Sequence, residues 1–426
     1  MLIFANRLTL KDQKSMNVSE VQPNISSQKA IDLEYQYGAH NYKPLPVVIS
    51  RGEGVHVWDV EGNKYYDFLA AYSALNQGHC HPDLVAAVKD QVEKVTLTSR
   101  AFHNDWLGPA EEYLATTFGY HKVLMMNSGA EGVETAIKLA RRWAYQVKGI
   151  QENQAKIVVA RENFHGRTSG IISFSNDEDA TKDFGPFMPG FIAVDYNDTA
   201  AVEEAFNQEN VAGFLVEPIQ GEGGVIIPDD GYHSTIRDLC NKYNVLYIGD
   251  EIQTGLGRTG SMLYLDQEEV RPDILILGKA LSGGMLPVSA VLANDEVMMT
   301  LQPGTHGSTF GGNPLGARVS VEAIRIILEE KLSENARKMG EEFRERVNEI
   351  SNPGIKEIRG KGLMNAIEFY HDKLGETAYD VCKKLKDHGL LAKQTRDNTI
   401  RFTPPLIITR DQIIESCEII EKVLSN

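Results

Sequence analysis

Paired cysteines are missing from this chain. Its 426 residues include four cysteines, Cys80, Cys240, Cys382 and Cys417, and no two of them form a CxxC pair. Scattered thiols exclude a disulfide frame and read as reduced side chains in a reducing compartment. A cationic excess is missing as well: 43 Lys and Arg stand against 59 Asp and Glu, a formal net charge of −16. That balance argues against nucleic acid as a partner, yet a few arginines could still hold a small anion in a local pocket. No apolar run is long enough to span a bilayer, so no membrane partner is expected. Residues 1–14 mix apolar and basic side chains with Asp12, which suits neither a signal peptide nor a transit peptide well, and Met16 is a second candidate start. The cytoplasm is the default location, with the mitochondrial matrix as the alternative. Gly78-His79-Cys80-His81-Pro82 offers three metal-ligand types, but no partner cluster with zinc spacing follows. It reads as a loop before a helix that begins at Pro82, and no metal is expected.

What is present is an α/β pattern. Residues 1–30 are polar and without periodicity, a loose arm. Val47 to Asp59 predicts a hairpin with its turn at Arg51–Gly54, and a second turn follows at Asp59–Asn63. Buried-type strands are predicted at 122–126, 156–160, 170–174, 213–217, 245–250 and 273–277, with helices over 84–95 and 130–148. Continuous apolar runs separated by helices indicate a mainly parallel sheet covered on both faces. After Pro314 come long helices over 315–330 and 331–351, short strands near 362–369 and 400–403, and a terminal helix over 410–424. The division expected is an arm plus part of a small domain over 1–70, a large domain over 71–312, and a smaller α+β domain over 313–426.

Ligands of parallel sheets collect at the carboxyl ends of the strands. Glu217, Asp250 and Lys279 stand at such ends. Lys279 lies between Gly278 and Ala280-Leu281-Ser282-Gly283-Gly284, a small-residue context open to a bulky partner; a solvent-facing turn lysine is the plain alternative. Asp250 closes an apolar strand, where its charge is costly unless paired. A lysine that can bind an aldehyde and a carboxylate that can keep a ring nitrogen protonated are the two obligatory groups of a pyridoxal 5'-phosphate site. A phosphate cradle is available at Asn127-Ser128-Gly129-Ala130-Glu131, where a helix opens after a strand; an ordinary capping box, Ser128 with Glu131, reads from the same residues. Phe164 could stack on a ring, and Arg167 could take a carboxylate. Arg401, in an apolar strand, is either a second carboxylate site or half of a structural ion pair.

Tyr247-Ile248-Gly249-Asp250-Glu251-Ile252-Gln253-Thr254-Gly255 and Gly278-Lys279-Ala280-Leu281-Ser282-Gly283-Gly284 together resemble the signature of the class III aminotransferases. Within that class the resemblance is to the ornithine-using branch, over about residues 31–426. It is carried by Tyr37 to Pro46, Tyr72 to Pro82, and Arg401-Phe402-Thr403-Pro404-Pro405-Leu406. The resemblance implies a fold type I PLP-dependent transferase, with a mainly parallel seven-stranded sheet in its large domain and a smaller α+β domain. It implies a homodimer with shared active sites and a ping-pong transfer of the δ-amino group of L-ornithine to 2-oxoglutarate. Lys279 would bear the cofactor as a Schiff base and shuttle the proton, with Asp250 at the ring nitrogen. Gly129 and Ala130 would bind the phosphate through the backbone, Phe164 would stack on the ring, Gln253 would bond the ring hydroxyl, and Glu217 would support that side. Ser308 and Thr309 would reach the neighbouring subunit's phosphate. Tyr42, Tyr72 and Arg167 would hold the α-amino acid end of ornithine, while Glu222 would occupy Arg401 until a dicarboxylate displaces it. Rival readings on this scaffold are an acetylornithine, 4-aminobutyrate or diamine aminotransferase, and a PLP lyase or mutase; a non-catalytic binding protein would have no need of both Lys279 and Asp250.

Overall fold

A computed structural model describes residues 25–373 and 375–425. Three sheets organise them. The first holds β1 (Ile49–Glu53), β2 (His56–Asp59) and β3 (Lys64–Asp67). The central one holds β4 (Lys122–Met126), β5 (Lys156–Ala160), β6 (Phe191–Val194), β7 (Val211–Val216), β8 (Leu246–Asp250), β9 (Ile274–Leu277) and β10 (Ser289–Ala293). After them come β11 (Ile355–Lys361), β12 (Met364–Phe369), β13 (Leu390–Leu391), β14 (Lys393–Thr395) and β15 (Thr399–Phe402). The central order is β4-β10-β9-β8-β7-β5-β6, the third sheet runs β11-β12-β15-β14, and β13 joins the first sheet beside β3.

The central sheet is mainly parallel, as its apolar runs predict; β10 alone runs against both its neighbours. All six residues of β7 are buried, because helices cover both faces. Ile157 and Val159 pack with Ile137 and Trp143 of the helix Gly129–Trp143. Val158 and Ala160 face the other way, onto Phe206 and Ile236. That alternation is the two-residue period of a strand whose two faces are both dry.

Several expectations need correction. Gly170–Phe174 is not a strand: Ser169–Ile172 is a short helix, and Ile171 and Phe174, three residues apart, turn into the same core cluster. An apolar run this short cannot be told from a helical turn by periodicity. The edge position belongs to β6, which pairs parallel with β5. The first hairpin closes at Gly54-Val55, with Glu53 opposite His56, so its turn falls later than Arg51–Gly54. Residues 1–24 of the expected loose arm lie outside the described residues, but its end is a helix, Ser27–Tyr37, with Ser26 as its cap.

Between the sheets lies a fully buried guanidinium. Arg258 donates to the carbonyls of Leu363 (2.9 Å) and Pro404 (2.6 Å) and to Oδ1 of Asn76 (2.6 Å). Asn76 in turn donates to the Leu256 carbonyl at 2.9 Å and accepts the Leu406 N–H at 2.8 Å. This knot ties the loop after β8 to the end of β15, and so sets where the two sheets stand. Arg258→Leu leaves buried acceptors unpaired and should cost about 3 kcal/mol of stability, read as an earlier urea midpoint.

Candidate active site

The parallel strands end on one edge, and the side chains singled out by the sequence follow those ends. Phe164 and His165 come after β5, Glu217 directly after β7, and Asp250 is the last residue of β8. Lys279 follows β9, and the helix Gly129–Trp143 opens just after β4. A cavity of about 190 Å³ is lined by Gly129, Ala130, Phe164, Glu217, Asp250, Gln253 and Lys279, together with His165 and Ile252. Ser308 and Thr309 do not line it. Ser308 Oγ instead accepts from Asn127 Nδ2 at 2.8 Å, and Thr309 is exposed.

Asp250 is the electrostatic anchor. Its Oδ2 lies 2.6 Å from Nδ1 of the buried His165, and its Oδ1 accepts the Ile252 N–H at 3.1 Å. Burial lowers the His165 pKa, but the hydrogen bond and charge of Asp250 raise it further, so the imidazole favours its protonated form more than usual. Glu217 accepts the Phe164 N–H at 2.9 Å. Burial pushes its carboxyl up to about 7, because desolvation disfavours the anion more than His165 stabilises it. Lys279 shifts the opposite way: burial lowers its pKa, while Glu222, Asp250 and Glu217 partly restore it. Its backbone is left-handed, with φ of 45°.

Two further groups have no protein partner, Nε2 of Gln253 and Nε2 of His165, both buried. Gln253 is crowded against the chain at Gly221, where a Cβ would stand 1.9 Å from its Oε1 and force that side chain to move. At the helix start Ser128 and Glu131 form the capping box. The N–H groups of Gly129 and Ala130 precede the first intrahelical bond, which runs from Gly132 to Ser128, and so remain free for an anion. Both readings of this segment therefore hold at once.

The substrate-side residues divide into two groups. Arg401 is buried at 2% exposure in β15, and its Nη1 and Nη2 meet the two oxygens of Glu222 at 2.7 and 3.0 Å. Its guanidinium lies 5.2 Å from the centre of the Tyr72 ring. Burial, then the Glu222 charge, raises the Tyr72 phenol. Arg167 is outside this cluster: it sits 5.5 Å from the Phe164 ring and 3.8 Å from Asp177. It shares a mouth cavity of about 440 Å³ with Glu222. Tyr42 is exposed and shares a groove with Tyr72. The residue missed by sequence reasoning is His165. Its place in Phe164-His165-Gly166-Arg167 was visible, but a partner 85 positions away was not.

This donor set fits pyridoxal phosphate. A carboxylate at the back of the cavity suits a protonated ring nitrogen, an unpartnered amide at Gln253 suits a ring oxygen, and a free helix start suits the phosphate. One consequence concerns the empty protein. The unfolded state loses the Glu217 proton near its ordinary value of 4.5 and the folded state near 7, so its contribution to stability declines as pH rises through that window. Glu217→Gln should therefore stabilise the cofactor-free protein at pH 8 by about 2 kcal/mol relative to its effect at pH 5. Urea midpoints at the two pH values measure it.

Known proteins identify the family. The family model for aminotransferase class III matches residues 37–424. The mitochondrial ornithine aminotransferase of Drosophila melanogaster is 57% identical over 391 residues, 92% of this chain and 90% of that protein. The crystal structure of ornithine aminotransferase from Toxoplasma gondii ME49 superposes with a TM-score of 0.92 at 50% identity, covering 94% of this chain and 95% of that one. An acetylornithine aminotransferase from Elizabethkingia anophelis, at 52% identity and a TM-score of 0.86, covers 94% and 99%. The chain belongs to the class III aminotransferases, enzymes that move amino groups with pyridoxal 5'-phosphate on the fold type I scaffold.

Proposed function

We propose that this enzyme transfers the δ-amino group of L-ornithine to 2-oxoglutarate, giving glutamate 5-semialdehyde and glutamate. The observation that carries the reading is the fork between Arg401 and Glu222. A pocket that uses both substrates must take ornithine by its far end and glutamate by its α-amine. An arginine already satisfied by an internal carboxylate does not draw in the ornithine carboxylate, yet a dicarboxylate can replace Glu222 with equal geometry. Tyr42, Tyr72 and Arg167 then serve the α-amino acid end of ornithine. The ornithine aminotransferase relatives support this choice. The Elizabethkingia neighbour, named for acetylornithine, is the specific observation behind the second reading, and a free α-amino group is what separates the two substrates.

Pyridoxal phosphate, when bound, supplies an aldehyde that condenses with amines and a protonated ring that draws electrons from the carbon next to the nitrogen. The protein's share is proton handling and orientation. Lys279 Nζ, whose neutral form burial favours more than in a free lysine, would accept a proton from the substrate's Cδ and return it to the carbon on the other side of the nitrogen. Asp250, braced by His165, holds the proton on the ring nitrogen. Gly129 and Ala130 would bind the phosphate, Phe164 would cover one face of the ring, and Gln253 would bond its oxygen. Glu217 holds the Phe164 backbone in place.

The working unit proposed is a homodimer. Ser308 and Thr309 lie off their own cavity, beside an exposed Phe310, as expected if they serve a second copy's phosphate. Among the described residues no helix is long and apolar enough to cross a membrane. The cytoplasm remains the proposed compartment; the Drosophila and rat relatives are named as mitochondrial, and cell fractionation decides.

Two measurements test the reading. Purified enzyme should carry a visible absorbance band that Lys279→Ala abolishes, and semialdehyde should form from ornithine in preference to N-acetylornithine, 4-aminobutyrate and diamines. Product formation without any oxo-acid acceptor would instead indicate a lyase or mutase. Glu222→Ala should raise single-turnover reaction of α-amines by about tenfold relative to the δ-amine. An unchanged preference would remove the switch.

A further inference from the structure

Ala70, Ala71, Tyr72 and Ser73 have φ of 47°, 48°, 59° and 71°, a complete left-handed turn built without glycine. A single such residue is uncommon and a run of them is strained, so the surroundings must hold it. Those surroundings are specific. Oδ1 of Asp67 accepts the N–H groups of Leu69 and Ala70, each at 2.9 Å, at the entry to the turn. Oδ2 of Asp67 meets Nε2 of His79 at 2.7 Å. His79 lies so close to Gly52 that a side chain there would come within 2.6 Å of its ring. On the other side, Thr403 donates its N–H to the Phe68 carbonyl at 2.7 Å and its hydroxyl to the Leu69 carbonyl at 3.0 Å. Thr403 is two residues beyond Arg401, so the strand that bears Arg401 also grips the turn that bears Tyr72.

We propose that Asp67 is a positioning residue for substrate choice: it locks the left-handed turn that sets Tyr72 against Arg401. The proposal rests on the reading of Tyr72 as part of the ornithine site. An extended or right-handed path through these four residues would carry the phenol off the Arg401–Glu222 pair. Asp67 itself touches no reacting atom. It acts through backbone N–H groups, with His79 holding its second oxygen in place.

The test is a double-mutant cycle on the holoenzyme, following kcat/KM for ornithine and for glutamate. Asp67→Ala should lower the ornithine-to-glutamate ratio by about tenfold, mainly through KM for ornithine, and add nothing further on top of Tyr72→Ala. The visible cofactor band should not change. Asp67→Asn keeps an oxygen for both N–H groups and should stay within about threefold of the parent. Fully additive losses, or equal losses on both donors, would overturn the role. If Asp67→Ala does not fold, Thr403→Val in the same cycle with Tyr72→Ala decides by the same criterion. If the parent enzyme prefers another ω-amine over ornithine, the proposed function fails, while the cycle run with that donor still decides what Asp67 does.

Discussion

A carboxylate at the dry end of an apolar strand must have positive partners, and Asp250 is the group on which the site depends. Its strand is buried throughout, so the charge could not stand there alone. His165 answers it from behind within the protein, and on the proposed reading a protonated ring would answer it from the front once the cofactor binds. Everything else in the cavity follows from where β8 ends. β9 beside it delivers Lys279, β7 delivers Glu217, and β5 delivers the Phe164-His165 loop. Parallel strands make this possible because they bring several chain reversals to one edge. The surplus negative charge of Glu217 is relieved by its raised pKa, which lets it hold a proton near neutral pH.

The substrate side rests on a different principle. Arg401 belongs to the third sheet and Glu222 to the loop after β7, so their fork spans two parts of the fold. The Glu222 loop is itself tied across that boundary. Thr395 donates to the Glu222 carbonyl at 2.6 Å, and Arg359 donates to the Gly224 carbonyl at 2.8 Å. With that backbone held on both sides, the freedom left to Glu222 is in its side chain. The Arg258 knot and the left-handed turn at Tyr72 add to the same boundary. Rigid backbone with one ion pair that a dicarboxylate could exchange would suit the proposed two-substrate reaction.

Much of this was legible beforehand, for identifiable reasons. Lys279, Asp250 and Gly129 sit at strand ends and a helix start, positions that short-range patterns mark clearly. The capping box at Ser128 and Glu131 is a local signal and appears as expected. Ile171 and Phe174 misled because a few apolar residues satisfy a strand and a helical turn equally. β6 and β10 were overlooked although turn residues flank both, Pro189-Gly190 before β6 and Asn294-Asp295 after β10. The histidines of the 78–82 loop are occupied elsewhere, His79 by Asp67 and His81 by Glu330 at 3.0 Å.

Local chemistry in the sequence determined the fold class, the strand-end lysine and aspartate, and the helix start that can bind a phosphate. These depend on residues adjacent in the chain, whose hydrogen bonding and periodicity are set by neighbours. Tertiary structure alone decided that His165 braces Asp250 and that four residues including Tyr72 turn left-handed, while the Arg401–Glu222 fork was expected only from the family resemblance and not from any local pattern. Each of those is a long-range desolvated contact or a strained backbone. Such features form only when the rest of the packed chain stabilises them, so no local pattern announces them.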